Sequence, residues 1–242
     1  MIKLREKSEI WFAVVHIIVY VIIFSVADRI SNIVGVQKSI TLPVCIILSA
    51  AIYMFVKRNK LMEYYGLCKG KYNLKKWLFF IPMIIITTRN LWNGITLNLG
   101  ILETVLYVVS MLFVGFLEEI IFRGYLFKSM CRSNVKTAVI FSSITFGMGH
   151  IVNLLNGRDP IETFMQIIYA TAIGFMLTIF FLKSGSIIPC IIFHGFINAS
   201  SIIGVQPEMT VNLIFNLIIT VISIAYAVYL LKIVSNENVT ST

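Results

Sequence analysis

Four ionisable side chains stand in stretches that are otherwise almost wholly apolar. Glu118 and Glu119 lie side by side in FVGFLEEIIFRGYLF, His150 lies in ITFGMGHIVNLL and His194 in CIIFHGFINAS. An ionisable group at the centre of a membrane helix costs about 2.5–3.5 kcal/mol on insertion scales, so such groups need a partner or a task. As a set they suit hydrolysis of an amide. A carboxylate can take a proton from water, imidazoles can polarise a carbonyl, and the amide of Asn198 can donate to the developing oxyanion. One glutamate with two histidines is also a zinc set, which makes Glu118, His150 and His194 the candidate metal ligands. The zincin helix H-E-x-x-H is absent from the sequence, so metal ligation rests on residue types drawn from three segments.

Helical spacing sorts these residues. Side chains four apart share a face, whereas neighbours diverge by about 100°. Glu119 is therefore predicted to pair with Arg123, which neutralises both, and Glu118 has no cation one turn away and is the carboxylate left available. Phe146 falls beside His150 and His194 beside Asn198, and Asn153 is placed to orient the His150 ring. Gly147, Gly149 and Gly195 flank the histidines and permit close helix approach or a local break. His16 has no polar companion and reads as packing. Taken singly, the acids read equally well as an interfacial helix end, and each histidine as interhelical glue.

The elements that must position these groups follow from composition. Of 242 residues, 58% are hydrophobic and 13% charged, with mean hydropathy +0.91; soluble domains have about 25% charged residues. The expectation is an all-α, polytopic membrane bundle, one embedded domain over residues 1–242 whose core, 101–204, carries the chemistry. Apolar runs predict eight spans near 10–27, 40–56, 77–98, 101–122, 137–155, 161–182, 186–204 and 210–231. The third contains Pro82, Arg89, Asn90 and Asn93, which predicts a re-entrant or interfacial outer half. The first reads as an uncleaved span rather than a secretory leader, because Glu6 and Glu9 interrupt the basic leader.

The net charge is +9. Its cations lie between apolar runs rather than beside a polar recognition element, which argues against nucleic acid. With Arg123 counted in the loop after the fourth span, alternate loops hold 16 of the 20 Lys and Arg, the basic loop 57–76 most of all. That asymmetry puts both termini in the cytoplasm. Cys45, Cys68, Cys131 and Cys190 form no C-x-x-C pair and read as packing residues.

In order and approximate spacing, Glu118-Glu119-x-x-x-Arg123, Phe146-x-x-x-His150 and His194-x-x-x-Asn198 resemble the three-motif signature of the CPBP intramembrane proteases, the type II CAAX prenyl endopeptidase or Abi family. The resemblance implies that Glu118 activates the hydrolytic water, with Glu119 supporting it and Arg123 balancing the pair. It implies that His150 holds that water or a metal, and that His194 with Asn198 binds the carbonyl oxygen or completes a metal site. Zinc and metal-free glutamate chemistry both remain open. The implied activity is endoproteolysis of a membrane-associated peptide or protein. The alternative is a non-catalytic bacteriocin immunity or scaffold protein of the same fold, and a proton-relaying transporter is a third. The short, lysine-rich, proline-poor chain reads as bacterial, hence a multi-pass protein of the plasma membrane, and prenyl specificity is not carried over.

Overall fold

The computed structural model describes residues 1–70, 80–155 and 157–233. A short helix, α1 (Ile2–Lys7), leads into α2 (Glu9–Val34) and α3 (Thr41–Arg58), and α4 (Ile81–Thr87) precedes a 3₁₀ turn at Arg89–Leu91. Helix α5 (Ile101–Glu119) runs through a π-helical stretch, Ile120–Phe127, into α6 (Lys128–Cys131). Then come α7 (Val135–Met148), a 3₁₀ turn at Gly149–Ile151, α8 (Val152–Leu155), α9 (Pro160–Ser184), α10 (Ile188–Ser200) and α11 (Met209–Ile233).

Local chemistry sets several of these boundaries. The Ser8 hydroxyl accepts from the Trp11 amide at the start of α2, and Asn134 accepts from Thr137 at the start of α7. Asp159 accepts from Ile161 and Glu162 ahead of Pro160, the first residue of α9. Gly35 (φ 81°) and Gly185 (φ 71°) end α2 and α9 in the left-handed conformation that glycine adopts freely.

Among the described residues six helical stretches are long and apolar enough to cross a membrane: Glu9–Val34, Thr41–Arg58, Ile101–Cys131, Val135–Leu154, Pro160–Ser184 and Met209–Lys232. The apolar α10 is shorter. Ile18, Ile22, Ile101, Phe164 and Leu217 are among many large apolar side chains on the outer surface. A surface of that kind is stable against lipid and not against water. The protein is thus an all-α, multi-pass membrane bundle.

Two expectations need correction. Within the described part of 77–98 the chain is not one spanning helix. It forms the seven-residue α4, the 3₁₀ turn and an extended stretch whose Ile95 pairs with Gly204; residues 77–79 of that prediction, and 71–76 of the basic loop, lie outside the described residues. The polar run Arg89, Asn90 is bound sideways instead. Arg89 donates to Asn212, to Asn216 (2.7 Å) and to Asn90 (3.1 Å), and Asn90 donates to the Ile197 carbonyl. Arg123 is also not a loop residue. It is fully buried in the π-helical stretch, because its charge is matched within the helix, and the spanning stretch continues to Cys131.

Helix α9 is the most buried of the spanning helices and packs between α7 and α11, and α5 packs on α10. Glycine makes the second contact close. A Cβ at Gly115 would lie 2.7 Å from both the Cα and the amide nitrogen of Gly195. Backbones can approach in this way only where neither residue carries a side chain.

Candidate active site

The Gly115–Gly195 crossing explains how acids on one helix meet a histidine on another. Glu119 is one turn beyond Gly115, His194 precedes Gly195, and the His194 Nδ1 lies 2.8 Å from Glu119 Oε1. An ionised carboxylate can only accept, so Nδ1 is the donor in this bond. The other ring nitrogen, Nε2, then points at Glu118 Oε2, 3.5 Å away. One imidazole is thus held between both members of the acidic doublet.

The doublet divides as the spacing predicts. Arg123 Nη1 donates to Glu119 Oε1 at 2.9 Å, and both side chains are completely buried. Arg123 Nη2 donates to the Gly174 carbonyl of α9 at 3.2 Å, and the guanidinium lies 4.2 Å from the centre of the Phe146 ring. A Cβ at Gly174 would meet Phe146 at 2.9 Å and Arg123 at 3.3 Å, so this glycine leaves the room that the cation occupies. Glu118, by contrast, keeps 17% of its side chain exposed. It is the member of the pair that water can reach.

Phe146 is the hub of the second layer. Its ring meets His194 edge-on at 5.3 Å and His150 edge-on at 5.9 Å while its face carries Arg123. Helix α7 is itself pressed onto α9, since a Cβ at Gly147 would lie 2.0 Å from the Thr171 hydroxyl oxygen and 2.8 Å from the Ile167 carbonyl. His150 sits in the 3₁₀ turn that follows, near enough to Glu118 and His194 to interact with both electrostatically. Asn198, half-buried, is one turn from His194 on the same helix, and its amide has no hydrogen-bond partner among the described residues.

The sequence-predicted residues therefore assemble in part by direct contact, through Glu118, Glu119, Arg123 and His194, and in part through Phe146, which brings in His150. The trio of candidate metal ligands is a different matter. Among the described residues no group of three or more His, Cys, Asp and Glu side chains could hold a metal ion. Glu118 and the Nε2 of His194 meet, with Nδ1 donating to Glu119, whereas the His150 ring stands against Phe146. As placed, these three side chains are not gathered around one point as metal ligands would be. Asn153 is corrected too, since its amide donates to Gln166 at 2.8 Å rather than serving His150. His16 bonds the Phe12 carbonyl at 2.7 Å and packs against Phe12 and Tyr125.

One contact has no counterpart in the sequence reading. The Tyr20 hydroxyl of α2 donates to Glu118 Oε1 at 2.8 Å. A phenol in an apolar helix signals that its hydroxyl has a partner, but the partner is 98 positions away and no periodicity reports it.

Residues 100–200 match the family described as type II CAAX prenyl endopeptidase Rce1-like. The matched region contains the acidic doublet, Arg123, both site histidines and Asn198, and excludes Tyr20. The family is one of peptide-bond hydrolases. No curated protein and no solved structure matches the chain.

Proposed function

We propose that the protein is an intramembrane endopeptidase that hydrolyses a peptide bond of a membrane-associated protein or peptide, with Glu118 as the general base on the attacking water. The observation that carries this reading is the shared imidazole. His194 is held on one nitrogen by the charge-balanced Glu119, and its other nitrogen is turned toward the exposed acid Glu118. A general base must be within reach of the water and free to exchange a proton, a part open to the partly exposed Glu118 and not to the buried, paired Glu119.

The steps follow from the groups present. Glu118 takes a proton from water as the oxygen attacks the scissile carbonyl carbon, and His150 holds the water. The carbonyl oxygen, becoming an oxyanion, accepts from the Asn198 amide and from Nε2–H of His194 in the doubly protonated form of the ring, which keeps Nδ1–H on Glu119. Glu118 then returns the proton to the departing nitrogen as the C–N bond breaks, which leaves a new carboxyl end and a new amine. Arg123 pairs with Glu119, the acceptor that fixes Nδ1–H of His194.

The proposed topology has eight passes with both ends on the cytoplasmic side. It is supported by the distribution of Lys and Arg and by the path of the chain around α10. Ser186 and Ile187 at one end of that helix bond Cys68 and Gly66, whereas Ile203 and Val205 at the other bond Thr96 and Gly94. Residues 66–68 and 94–96 thus lie at opposite ends of α10, a helix about 20 Å long at 1.5 Å per residue. The site then opens toward the cytoplasmic leaflet.

The test compares peptides released from membranes that hold the parental protein with those that hold Glu118→Gln, read by mass spectrometry. Products that require Glu118 and come from a membrane-associated precursor are expected. Identical peptide profiles from the two membranes would overturn the proposal.

A further inference from the structure

The N-terminal helix enters the site through a single hydroxyl. Tyr20, near the middle of α2 and 7% exposed, makes the one hydrogen bond to Glu118 found among the described residues, at 2.8 Å to Oε1. The bond divides the work of the carboxylate. With Oε1 tied to Tyr20, Oε2 is the oxygen turned toward His194 Nε2. Without that tie, Glu118 keeps only the longer 3.5 Å approach to His194 Nε2, since Arg123 and the Nδ1 of His194 are committed to Glu119.

We propose that Tyr20 is a positioning residue for Glu118, fixing one carboxylate oxygen so that the other faces the attacking water and His194. This rests on the reading of Glu118 as the base and extends the site beyond the matched region, 100–200, into α2. The arrangement is built to be rigid. Helix α2 packs against the π-helical stretch that follows Glu119, where Phe12 and Tyr125 rings stand 4.8 Å apart. Phe24 lies 5.7 Å from the Tyr20 ring, one turn along the same helix. A phenol hydroxyl buried among apolar side chains is costly unless bonded, so Tyr20 and Glu118 each restrict the other. The hydroxyl acts on the base and not on the substrate, and its loss is therefore felt in turnover rather than in binding.

The experiment uses the full chain in lipid nanodiscs with a substrate peptide identified by the membrane comparison above, and measures kcat, KM and the melting temperature. Tyr20→Phe keeps the ring and removes only the hydroxyl. The expected result is a fall in kcat of about 10- to 100-fold, the worth of one hydrogen bond to a charged group, with KM within about twofold and an unchanged melting temperature. Tyr20→Ala, which also removes the ring, is expected to lower the melting temperature as well. Parental kcat in Tyr20→Phe overturns the proposal, and so does a loss in which KM and melting temperature change together with kcat. Glu118→Gln, run alongside, separates the two ideas. If it is inactive and Tyr20→Phe is parental, only the role of Tyr20 fails; if Glu118→Gln cleaves at the parental rate, the assignment of the base fails first.

Discussion

Replacing Arg123 by Met removes the positive half of an ion pair from the interior and leaves Glu119 behind. Both side chains have zero exposure and their atoms are 2.9 Å apart. At an effective dielectric of about 20, two unit charges at that distance attract by about 6 kcal/mol. Measured costs of breaking a buried pair by removing one partner are smaller, about 3–5 kcal/mol, because the surroundings relax. Here the lower figure is reinforced by two further losses, the bond to the Gly174 carbonyl and the contact over the Phe146 ring. At about 2–4 °C per kcal/mol for a chain of this size, a figure taken from soluble domains, the midpoint falls by about 6–20 °C. The assay is thermal unfolding in detergent followed by tryptophan fluorescence. The control is the double variant Glu119→Leu/Arg123→Met, in which no charge is left unpaired. It should recover most of the lost stability yet remain inactive, because His194 Nδ1 has lost its acceptor. An Arg123→Met variant that melts with the parent would refute the reasoning. So would a double variant as unstable as the single one, since the loss would then come from packing on Phe146 and Gly174.

Two further substitutions probe the geometry. Gly115→Ala forces a Cβ to within 2.7 Å of the Gly195 backbone, which cannot move aside as a side chain can. Melting should show a loss of about 1–3 kcal/mol, and kcat should fall about 100-fold as His194 is carried away from the acids. Asn198→Ala removes an amide that has no partner among the described residues. Its melting temperature should match the parent while kcat falls about 100- to 1,000-fold, the worth of an oxyanion donor.

Much of this site was legible in the sequence, because helical spacing is a local property. The four-residue step from Glu119 to Arg123 predicts an ion pair and the structure has one. The step from Phe146 to His150 predicts a shared face, and the two rings touch. What could not be read depends on tertiary contact. The expected metal trio assumed that Glu118, His150 and His194 converge, but of the three only Glu118 and His194 meet, and the His150 ring stands against Phe146. Counting Arg123 as a loop charge followed from treating a cation as a span boundary, which fails when its partner lies in the same helix. The segment 77–98 has the composition of a weak span, and its polar residues turn out to bind α10 and α11 sideways. Tyr20 carries no spacing signal at all, since its partner is on another helix.

The central claim is that Glu118 activates water for direct attack on the peptide bond. Single-turnover cleavage in ¹⁸O-labelled water, with mass spectrometry of the new carboxyl end, tests this most directly. The account predicts one ¹⁸O in the new carboxyl group on the first turnover of the parental protein, none in Glu118 itself, and no cleavage by Glu118→Gln. Label appearing in Glu118 with an unlabelled first product would mean that the carboxylate attacks covalently, and cleavage by Glu118→Gln at the parental rate would remove Glu118 from the chemistry altogether.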